Sequence, residues 1–319
     1  MNKSLRILTS CMLVLCTGCT GAVTASVSDF EVSASAEATA EPDETEHLTV
    51  RPADTQESIQ EVASMHEDLN YREFWINSTI PVLEVSSKDA DKNTPIVFFL
   101  HGITGCKEQE TYILSRLAEA GYRAVSFDLP GHGERQDGAY VFMDVVEQGM
   151  KDLNSILDYY TAEHYDTAHY ALGGFSTGAI IAYAYGMSGS YHPSVLIPVS
   201  GVADWNDLEQ SSLLDRCYEH GVQVEMTSTK EAEQQEILED NPYRSLSSLA
   251  STPVIICHGT EDTTFDCEIA QRTADDLIAL GNKNVSLNLY PVAHEFPAQF
   301  FNVMIQNLHI YLPVTEPQR

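Results

Sequence analysis

The sequence predicts an α/β protein with a mostly parallel central sheet and helices on both faces of that sheet. From Asp68 onward, strand-like apolar runs alternate with segments of helical apolar spacing, which is typical of parallel sheets. The strand-like runs end in turns at the carboxyl ends of the strands, where such sheets bind ligands. Hydrophobic residues make up 43% of the 319 positions, enough for a sizeable core.

The predicted strands and helices follow one another along this alternating region. Each strand prediction rests on a short apolar run bounded by turn residues, and each helix prediction rests on apolar residues three to four positions apart. The strands are expected at 94–102, 123–133, 169–175, 194–200, 252–260 and 285–291. The helices are expected at 107–122, 141–164, 176–188, 266–281 and 295–312.

Residues 203–250 interrupt the alternation between two strands. The segment is helical in pattern and heavily charged, and an insertion of this length beyond the strand ends is expected to form a small helical cap over the site. The alternative is a solvated surface excursion. Trp205, Leu213, Leu214 and Tyr218 would either line the pocket or anchor the cap to the sheet.

The N-terminal region differs from the alternating region. Residues 1–19 combine two basic residues with an apolar run and then small residues, which is typical of a secretory signal peptide. Its end, LCTGC, resembles a bacterial lipobox with Cys19 as the lipidated residue. A lipid anchor on the extracytoplasmic side of the bacterial cell membrane is therefore expected, with secretion after a plain signal as the alternative. Residues 20–68 are acidic and poor in large apolar side chains, which favours a disordered tether before a folded domain at 69–319.

Charge and cysteine content limit the possible partners. The formal net charge of −30, from 47 acidic and 17 basic residues, excludes nucleic acid and anionic lipid headgroups as good partners. After the N-terminus no apolar run is long enough to span a membrane, so membrane contact is expected only through the anchor. The folded domain keeps Cys106, Cys217, Cys257 and Cys267, for which no essential disulfide is predicted. Cys257 lies in a strand pattern and is expected to be a buried free thiol.

The stretch GGFSTG carries the clearest chemical signal. Ser176 follows the strand at 169–175 and precedes a helix, with Gly174 and Gly178 two positions away on either side. G-x-S-x-G at a strand-to-helix corner is the pattern of a nucleophile elbow, because larger side chains at the glycine positions would clash in so tight a turn. The helix also places the positive end of its dipole beneath the serine. A Gly-rich loop without chemistry is the alternative.

A nucleophilic serine needs donors for an oxyanion, a base and an acid. The LHGITG turn and the residue after the serine point to the backbone N–H groups of Ile103 and Thr177 as the oxyanion hole. His294, in the loop after the last strand, is the expected base, and Asp262 and the adjacent Glu261 compete for the role of the acid. The chain order Ser, Asp, His is the one expected on an open α/β sheet.

The remaining histidines do not indicate a metal site. His101 and His132 lie in turns after strands and are expected to shape those turns. His258 could be grouped with Asp262 and His294 as metal ligands, but the chain has no H-x-x-x-H pair and no Cys/His ligand spacing. No metal is therefore expected.

Residues 72–312 resemble the α/β-hydrolase family. The motifs HGITG, DLPGHGER, GGFSTG, HGTED and VAHEF carry the resemblance and stand in the family's order. The first two look closest to the branch of dienelactone hydrolases and prolyl-oligopeptidase-like esterases. The resemblance implies that fold, an acyl-enzyme on Ser176, Asp262 rather than Glu261 as the acid, and no metal or organic cofactor. Serine in place of cysteine argues against dienelactone hydrolysis itself, and the N-terminal tether is too short for a propeller domain.

The expected activity is hydrolysis of a carboxylic ester of a small acyl substrate by a Ser-His-Asp triad. The first alternative is a serine exopeptidase or amidase on the same scaffold, which would cleave amides as well as esters. The second is a catalytically silent surface lipoprotein that binds a ligand in the cleft, since hydrolase folds also occur in non-enzymes. The presence of nucleophile, acid, base and oxyanion loop in order favours an enzyme.

Overall fold

The computed structural model describes residues 66–135, 142–211 and 239–314, together with positions 213 and 235. In these residues, eight strands form one sheet in the order β1-β2-β4-β3-β5-β6-β7-β8. The strands are β1 (Leu69–Ile76), β2 (Ile80–Ser87), β3 (Ile96–Leu100), β4 (Arg123–Phe127), β5 (Tyr170–Phe175), β6 (Val195–Val199), β7 (Val254–Gly259) and β8 (Val285–Tyr290). The α-helices are α1 (Thr111–Glu119), α2 (Phe142–Ala162), α3 (Thr177–Ser188), α4 (Trp205–Gln210), α5 (Cys267–Ala279) and α6 (Ala298–Tyr311). Short 3₁₀ helices lie at Lys107–Glu110, Gly133–Arg135 and Pro242–Leu249.

The sheet is mostly parallel. The strands β3 to β8 pair in parallel, whereas β1 and β2 form an antiparallel hairpin whose second strand pairs antiparallel with β4. One face of the sheet forms an apolar core with α2, α3 and α5, and the other face forms a core with α1 and α6. The predicted fold class, a parallel sheet with helices on both faces, is therefore confirmed.

Every predicted strand and helix of the alternating region is present, and most ends differ by no more than a few residues. The segment 123–133, predicted as a strand that ends in a Pro/Gly turn, forms a strand up to Phe127 and then leaves the sheet. Beyond that point the backbone turns around the carboxylate of Asp128, which accepts hydrogen bonds from the N–H groups of Lys107 at 2.8 Å and Glu134 at 2.9 Å. These hydrogen bonds hold residues 128–134 in the Pro/Gly turn that the sequence predicts after this strand, so the chain leaves the sheet after Phe127.

The β1–β2 hairpin was left unassigned by the sequence analysis. Its two strands pair along their full length, and the turn between them holds Asn77 and Ser78 at φ values of 53° and 58°. Two consecutive residues with positive φ are typical of a type I′ turn, and Asn tolerates this conformation better than most residues. An Asn-Ser pair between two alternating runs was the available signal.

The expected signal peptide, the lipidated Cys19 and the tether up to residue 65 lie outside the described residues. So does most of the expected cap, including Leu214 and Tyr218. The described parts of residues 203–250 include α4 and the 3₁₀ helix Pro242–Leu249.

Trp205 and Leu213 belong to the same interrupting segment and are both buried in the main apolar core. Burial in this core is the property expected of residues that anchor the segment, which is one of the two roles that the sequence left open for them.

Cys106, Cys257 and Cys267 are free thiols, and the first two are buried; Cys217 lies outside the described residues. In residues 66–135, 142–211 and 239–314, no helix is both long and apolar enough to cross a membrane.

Candidate active site

Ser176 lies at the corner between β5 and α3. Its backbone has φ 54° and ψ −114°, a conformation that a residue with a side chain adopts only at a local cost in energy. The N–H of Ser176 donates to the carbonyl of Val199 in β6 at 2.9 Å, and its own carbonyl accepts from the N–H groups of Ala179 and Ile180 in the first turn of α3. The neighbouring strand and the helix thus hold the strained residue in place.

Gly174 and Gly178 make this corner possible. A Cβ atom at Gly174 would lie 2.5 Å from the backbone carbonyl carbon of Gly178, and one at Gly178 would lie 2.1 Å from the carbonyl oxygen of Leu100. Real Cβ atoms do not approach backbone atoms so closely, and backbone cannot yield as a flexible side chain can. Both positions therefore require glycine for steric reasons.

Ser176, His294 and Asp262 form one chain of hydrogen bonds. His294 Nε2 lies 2.9 Å from Ser176 Oγ, and His294 Nδ1 lies 2.7 Å from Asp262 Oδ2. Because an ionised carboxylate only accepts, Nδ1 carries the hydrogen and Nε2 is free to accept the proton of the serine hydroxyl. The arrangement can deprotonate Ser176 as it attacks an electrophile.

Asp262 is held as an ionised acceptor. Its Oδ1 accepts from the backbone N–H groups of Thr264 at 2.8 Å and Phe265 at 3.0 Å. Burial tends to raise the pKa of Asp262, but the hydrogen bond and charge of His294 and these N–H groups outweigh it and leave the pKa below its ordinary value. Glu261, the competing acid of the sequence analysis, is exposed, and it is Asp262 that contacts His294.

The N–H groups of Ile103 and Thr177 lie on the two segments that flank the serine. Thr177 is the first residue of α3, so its N–H has no acceptor within the helix. The turn that contains Ile103 is closed by a 3.0 Å hydrogen bond from the N–H of Gly105 to the carbonyl of Gly102. Within the described part of the chain, neither the Ile103 nor the Thr177 N–H donates to a protein acceptor. Both donors are therefore available to an oxyanion.

His101 fixes this turn to the next loop. Its Nδ1 donates to the carbonyl of Gly102 at 2.8 Å, and its Nε2 accepts from the N–H of Leu129 at 3.1 Å. Burial lowers the pKa of His101 to about 4, and burial with His101 nearby likewise lowers the pKa of His132 to about 4. Both rings are therefore neutral at pH 7 and lie 5.2 Å apart, centroid to centroid.

A buried lysine beside the turn was missed by the sequence analysis. The ammonium of Lys107 is 1% exposed and contacts four carboxylates, those of Glu108, Glu134 at 2.8 Å, Asp128 at 3.4 Å and Glu73 at 3.6 Å. Burial alone would lower its pKa, but these carboxylates raise it above the ordinary range. No sequence pattern predicted these contacts, because they join Glu73 in β1 to two segments that are distant along the chain, residues 107–108 and 128–134.

The same carboxylates are the described residues best placed to hold a cation. Oxygens of Glu73, Glu108 and Glu134 lie within 4.8 Å of one another. The ammonium of Lys107 already contacts each of the three carboxylates, so this protein supplies its own cation there. In the other grouping considered from the sequence, His258 Nε2 lies 3.0 Å from the carbonyl of Phe265, and both nitrogens of His294 are bonded.

Comparisons with known proteins relate this chain to hydrolases. The model of the family described as "Serine aminopeptidase, S33" matches residues 91–217. "Putative esterase YitV" of Bacillus subtilis (strain 168) is 27% identical over 203 residues, which are 58% of this chain and 75% of that protein. "Esterase YjfP" of Escherichia coli (strain K12) is 27% identical over 213 residues, which are 63% of this chain and 82% of that protein.

Solved structures share the fold. The Pyrococcus furiosus esterase Pf2001 superposes with a TM-score of 0.58 at 18% identity, covering 78% of this chain and 95% of its own. The chain is a hydrolase with the α/β-hydrolase fold. In this hydrolase, all the residues that the sequence analysis assigned to a site after position 65 lie around Ser176, at the carboxyl ends of β3, β5, β7 and β8.

Proposed function

We propose that this hydrolase is a carboxylesterase that cleaves esters of small acyl groups through an acyl-enzyme on Ser176. The observation that carries the proposal is the chain of contacts from Asp262 through His294 to the hydroxyl of a serine in a strained strand-to-helix corner. Such strain persists only where the surrounding structure maintains it, and it concentrates at sites of chemistry.

In the acylation step, Ser176 Oγ attacks the ester carbonyl carbon while its proton passes to His294 Nε2. The carbonyl oxygen becomes an oxyanion, which accepts hydrogen bonds from the N–H groups of Ile103 and Thr177. The imidazolium, stabilised by Asp262, then returns the proton to the departing alkoxide, which leaves as the alcohol. Water then gives a proton to His294 as it attacks the acyl carbon. His294 returns that proton to Ser176 Oγ as the bond between Oγ and the acyl carbon breaks, which releases the acid and restores Ser176.

Esters are favoured over amides by the two reported sequence relatives, both of which carry the name esterase. The second candidate is a serine exopeptidase, because the matching family model is described as a serine aminopeptidase. The two activities use the same residues and differ in the leaving group, so turnover of matched ester and anilide substrates separates them.

A labelling and turnover experiment tests the proposal on the full chain in mild detergent. The protein is treated with a fluorophosphonate probe, the labelled residue is mapped by mass spectrometry, and p-nitrophenyl acetate, butyrate and octanoate are assayed beside alanine and proline p-nitroanilides. Label on Ser176 with ester turnover is expected. Anilide turnover would favour the exopeptidase, and a folded protein with neither label nor turnover would favour a silent ligand-binding protein.

The substitution Ser176→Ala is expected to reduce ester turnover by about 10⁴–10⁶-fold with folding intact, because the loss of a triad nucleophile costs on that order. Circular dichroism and thermal melting report on the fold in parallel. Ser126→Ala is the matched control, since Ser126 is also a fully buried serine but belongs to β4. Full activity of the Ser176→Ala variant would contradict the assignment of the nucleophile.

We also propose that the chain is anchored through a lipid on Cys19 at the extracytoplasmic face of a bacterial membrane. The basic residues, apolar run and LCTGC end of residues 1–19 support this location. Cells that express the full chain with an alkynyl fatty acid are expected to incorporate the label, and a Cys19→Ser variant is expected to lose it. Equal labelling of both variants would contradict the anchor site.

A further inference from the structure

His258 is a buried histidine that the proposed mechanism does not use. It lies in β7 one residue before the strand ends, and its side chain is fully buried. Its Nε2 lies 3.0 Å from the carbonyl oxygen of Phe265, so Nε2 carries a hydrogen and donates it. Burial lowers the pKa of His258, which keeps the ring neutral with Nδ1 unprotonated. Nδ1 has no partner among the described residues, so His258 contributes a single donor.

The acceptor of that hydrogen bond, Phe265, touches two members of the candidate triad. Its backbone N–H donates to Asp262 Oδ1 at 3.0 Å, and its ring meets the ring of His294 edge-on with centroids 5.7 Å apart. Phe265 thus links the acid and the base. His258 holds Phe265 in place by donating a hydrogen bond to the backbone carbonyl of Phe265.

His258 also lies close to Asp262 itself. The Nε2 atom is 3.5 Å from Asp262 Oδ2, the oxygen that faces His294. Because this distance is long and the same Nε2 atom lies closer to the Phe265 carbonyl oxygen, the contact between His258 and Asp262 is a polar contact rather than a full hydrogen bond. His258 therefore lies directly beside the carboxylate that it is proposed to position.

The loop from Asp262 to Phe265 is also tied to the rest of the fold at its start. Before it, the N–H groups of Thr260 and Glu261 donate to the carbonyls of Tyr290 and Val292, which ties the beginning of the loop to the segment that carries His294. The contact with His258 comes at the far end, at Phe265. The acid is therefore held between two fixed points.

We propose that His258 is a positioning residue for the acid: by holding the Phe265 carbonyl, it sets the Asp262 carboxylate in line with His294. This inference rests on the proposed function of Ser176, Asp262 and His294 as a triad. His258 contacts neither the substrate nor the reacting serine, and its effect on the rate passes through Asp262.

Two amide substitutions test the proposal because they match different ring atoms. The amide nitrogen of His258→Gln can reach the position of Nε2, whereas that of His258→Asn reaches only the position of Nδ1 and leaves Phe265 without its donor. For p-nitrophenyl butyrate, His258→Asn is expected to lower kcat by about 10–100-fold with KM within about twofold, as is typical when a group that orients a catalytic residue is lost. His258→Gln is expected to restore most of kcat.

A double-substitution cycle separates positioning from general destabilisation. In an Asp262→Asn background, His258→Asn is expected to change kcat by less than about threefold, because the acid through which it acts is already lost. Two outcomes overturn the proposal: wild-type kcat in a folded His258→Asn variant, or effects of His258→Asn and Asp262→Asn that multiply. If His258→Asn does not fold, His258→Leu takes its place in the same cycle, because it fills the site without an unpaired amide.

The outcome also separates this inference from the proposed function. Fluorophosphonate labelling and ester turnover by the wild-type chain decide whether Ser176 is the nucleophile of a working esterase. If the wild type is active and the His258 variants match it, the positioning inference is overturned and the esterase proposal stands. If the wild type is inactive and unlabelled, the proposed function fails and the inference fails with it.

Discussion

The two sides of Ser176 are held by different kinds of interaction. On the oxyanion side, defined by residues 101–110 and 128–135, the loops are joined by a fully buried carboxylate, a buried ammonium and a neutral histidine. On the acid–base side, defined by residues 258–265 and 290–296, backbone N–H groups and His258 hold a single carboxylate. The first side depends on buried charge, and the second depends on aligned hydrogen bonds.

The difference follows from what each side has to do. Donors for an oxyanion act as fixed dipoles and gain from rigidity, since they need no reorganisation during the reaction. In the proposed mechanism the base exchanges protons with substrate and water, and His294 is accordingly 21% exposed while its partner Asp262 is buried. Substitutions on the oxyanion side are therefore expected to affect stability, and those on the acid–base side are expected to affect the rate.

The largest effect is expected for Asp262→Asn on the acid–base side. The backbone N–H groups of Thr264 and Phe265 are expected to retain the amide oxygen, so the NH2 group faces His294 Nδ1 and cannot accept its hydrogen. This destabilises the required tautomer and the imidazolium, so kcat for ester hydrolysis is expected to fall by about 10⁴-fold. Thermal melting is expected to change little by comparison. The neighbouring Glu261→Gln serves as a control and is expected to retain kcat, because Glu261 is exposed and His294 contacts Asp262. The reverse pattern would assign the acid to Glu261.

Asp128→Ala on the oxyanion side is expected to lower the free energy of unfolding rather than the rate. The change is expected to be smaller than the increase in activation free energy caused by Asp262→Asn. This substitution removes the acceptor of two backbone N–H groups and a neighbour of the buried Lys107 ammonium. Breaking a buried ion pair from one side typically costs about 3–5 kcal/mol, which urea unfolding would measure. Asp89→Ala removes an exposed carboxylate and is expected to stay within about 0.5 kcal/mol of wild type. Equal stability of both variants would remove the contrast between the two sides.

The effect expected for Glu110→Gln depends on pH. Burial raises the pKa of Glu110 to about 8 from an ordinary value of 4.5. The folded state therefore binds more protons than the unfolded state between these values, and the wild type loses stability as the pH rises from about 4.5 to 8. The glutamine variant has no such loss, so its Tm relative to wild type is expected to increase from pH 5 to pH 8 and then level off.

His101 and His132 act in the opposite direction but do not disturb this comparison. Their pKa values are lowered to about 4, so the stability they contribute is lost as the pH falls from 6.5 towards 4, equally in both proteins. A Tm difference between Glu110→Gln and wild type that stays constant from pH 5 to pH 8 would show that Glu110 is not held neutral.

The strands β1 and β2 were the part of the sheet that the sequence did not predict. The positions of β3 to β8 along the chain follow from apolar periodicity, which is a local property of short segments. Each of those strands was predicted. The β1–β2 hairpin was left unassigned because its first strand is half exposed and carries a weak apolar signal. Its pairing with β4, from Val82 with Phe127 to Val85 with Ala124, becomes visible only when the sheet is assembled.

At the candidate site, the local chain already specifies the nucleophile. Gly174 is required by a contact within the turn, whereas Gly178 is required by the carbonyl oxygen of Leu100 in β3. The G-x-S-x-G pattern around Ser176 is nevertheless local, so it is legible in the sequence. The positions of Asp262 and His294 after later strands could likewise be predicted, because parallel strands bring their carboxyl ends to one edge.

The supports of that site are a product of the assembled fold. Lys107 meets Asp128 across 21 residues, and His294 meets Ser176 across 118. Whether a buried charge is stabilised depends on the groups that surround it in space. These groups come from segments that are far apart along the chain, so the sequence does not reveal that they are neighbours. The sequence therefore contains the reacting groups and their fold class, and the folded chain determines which charges hold them in place.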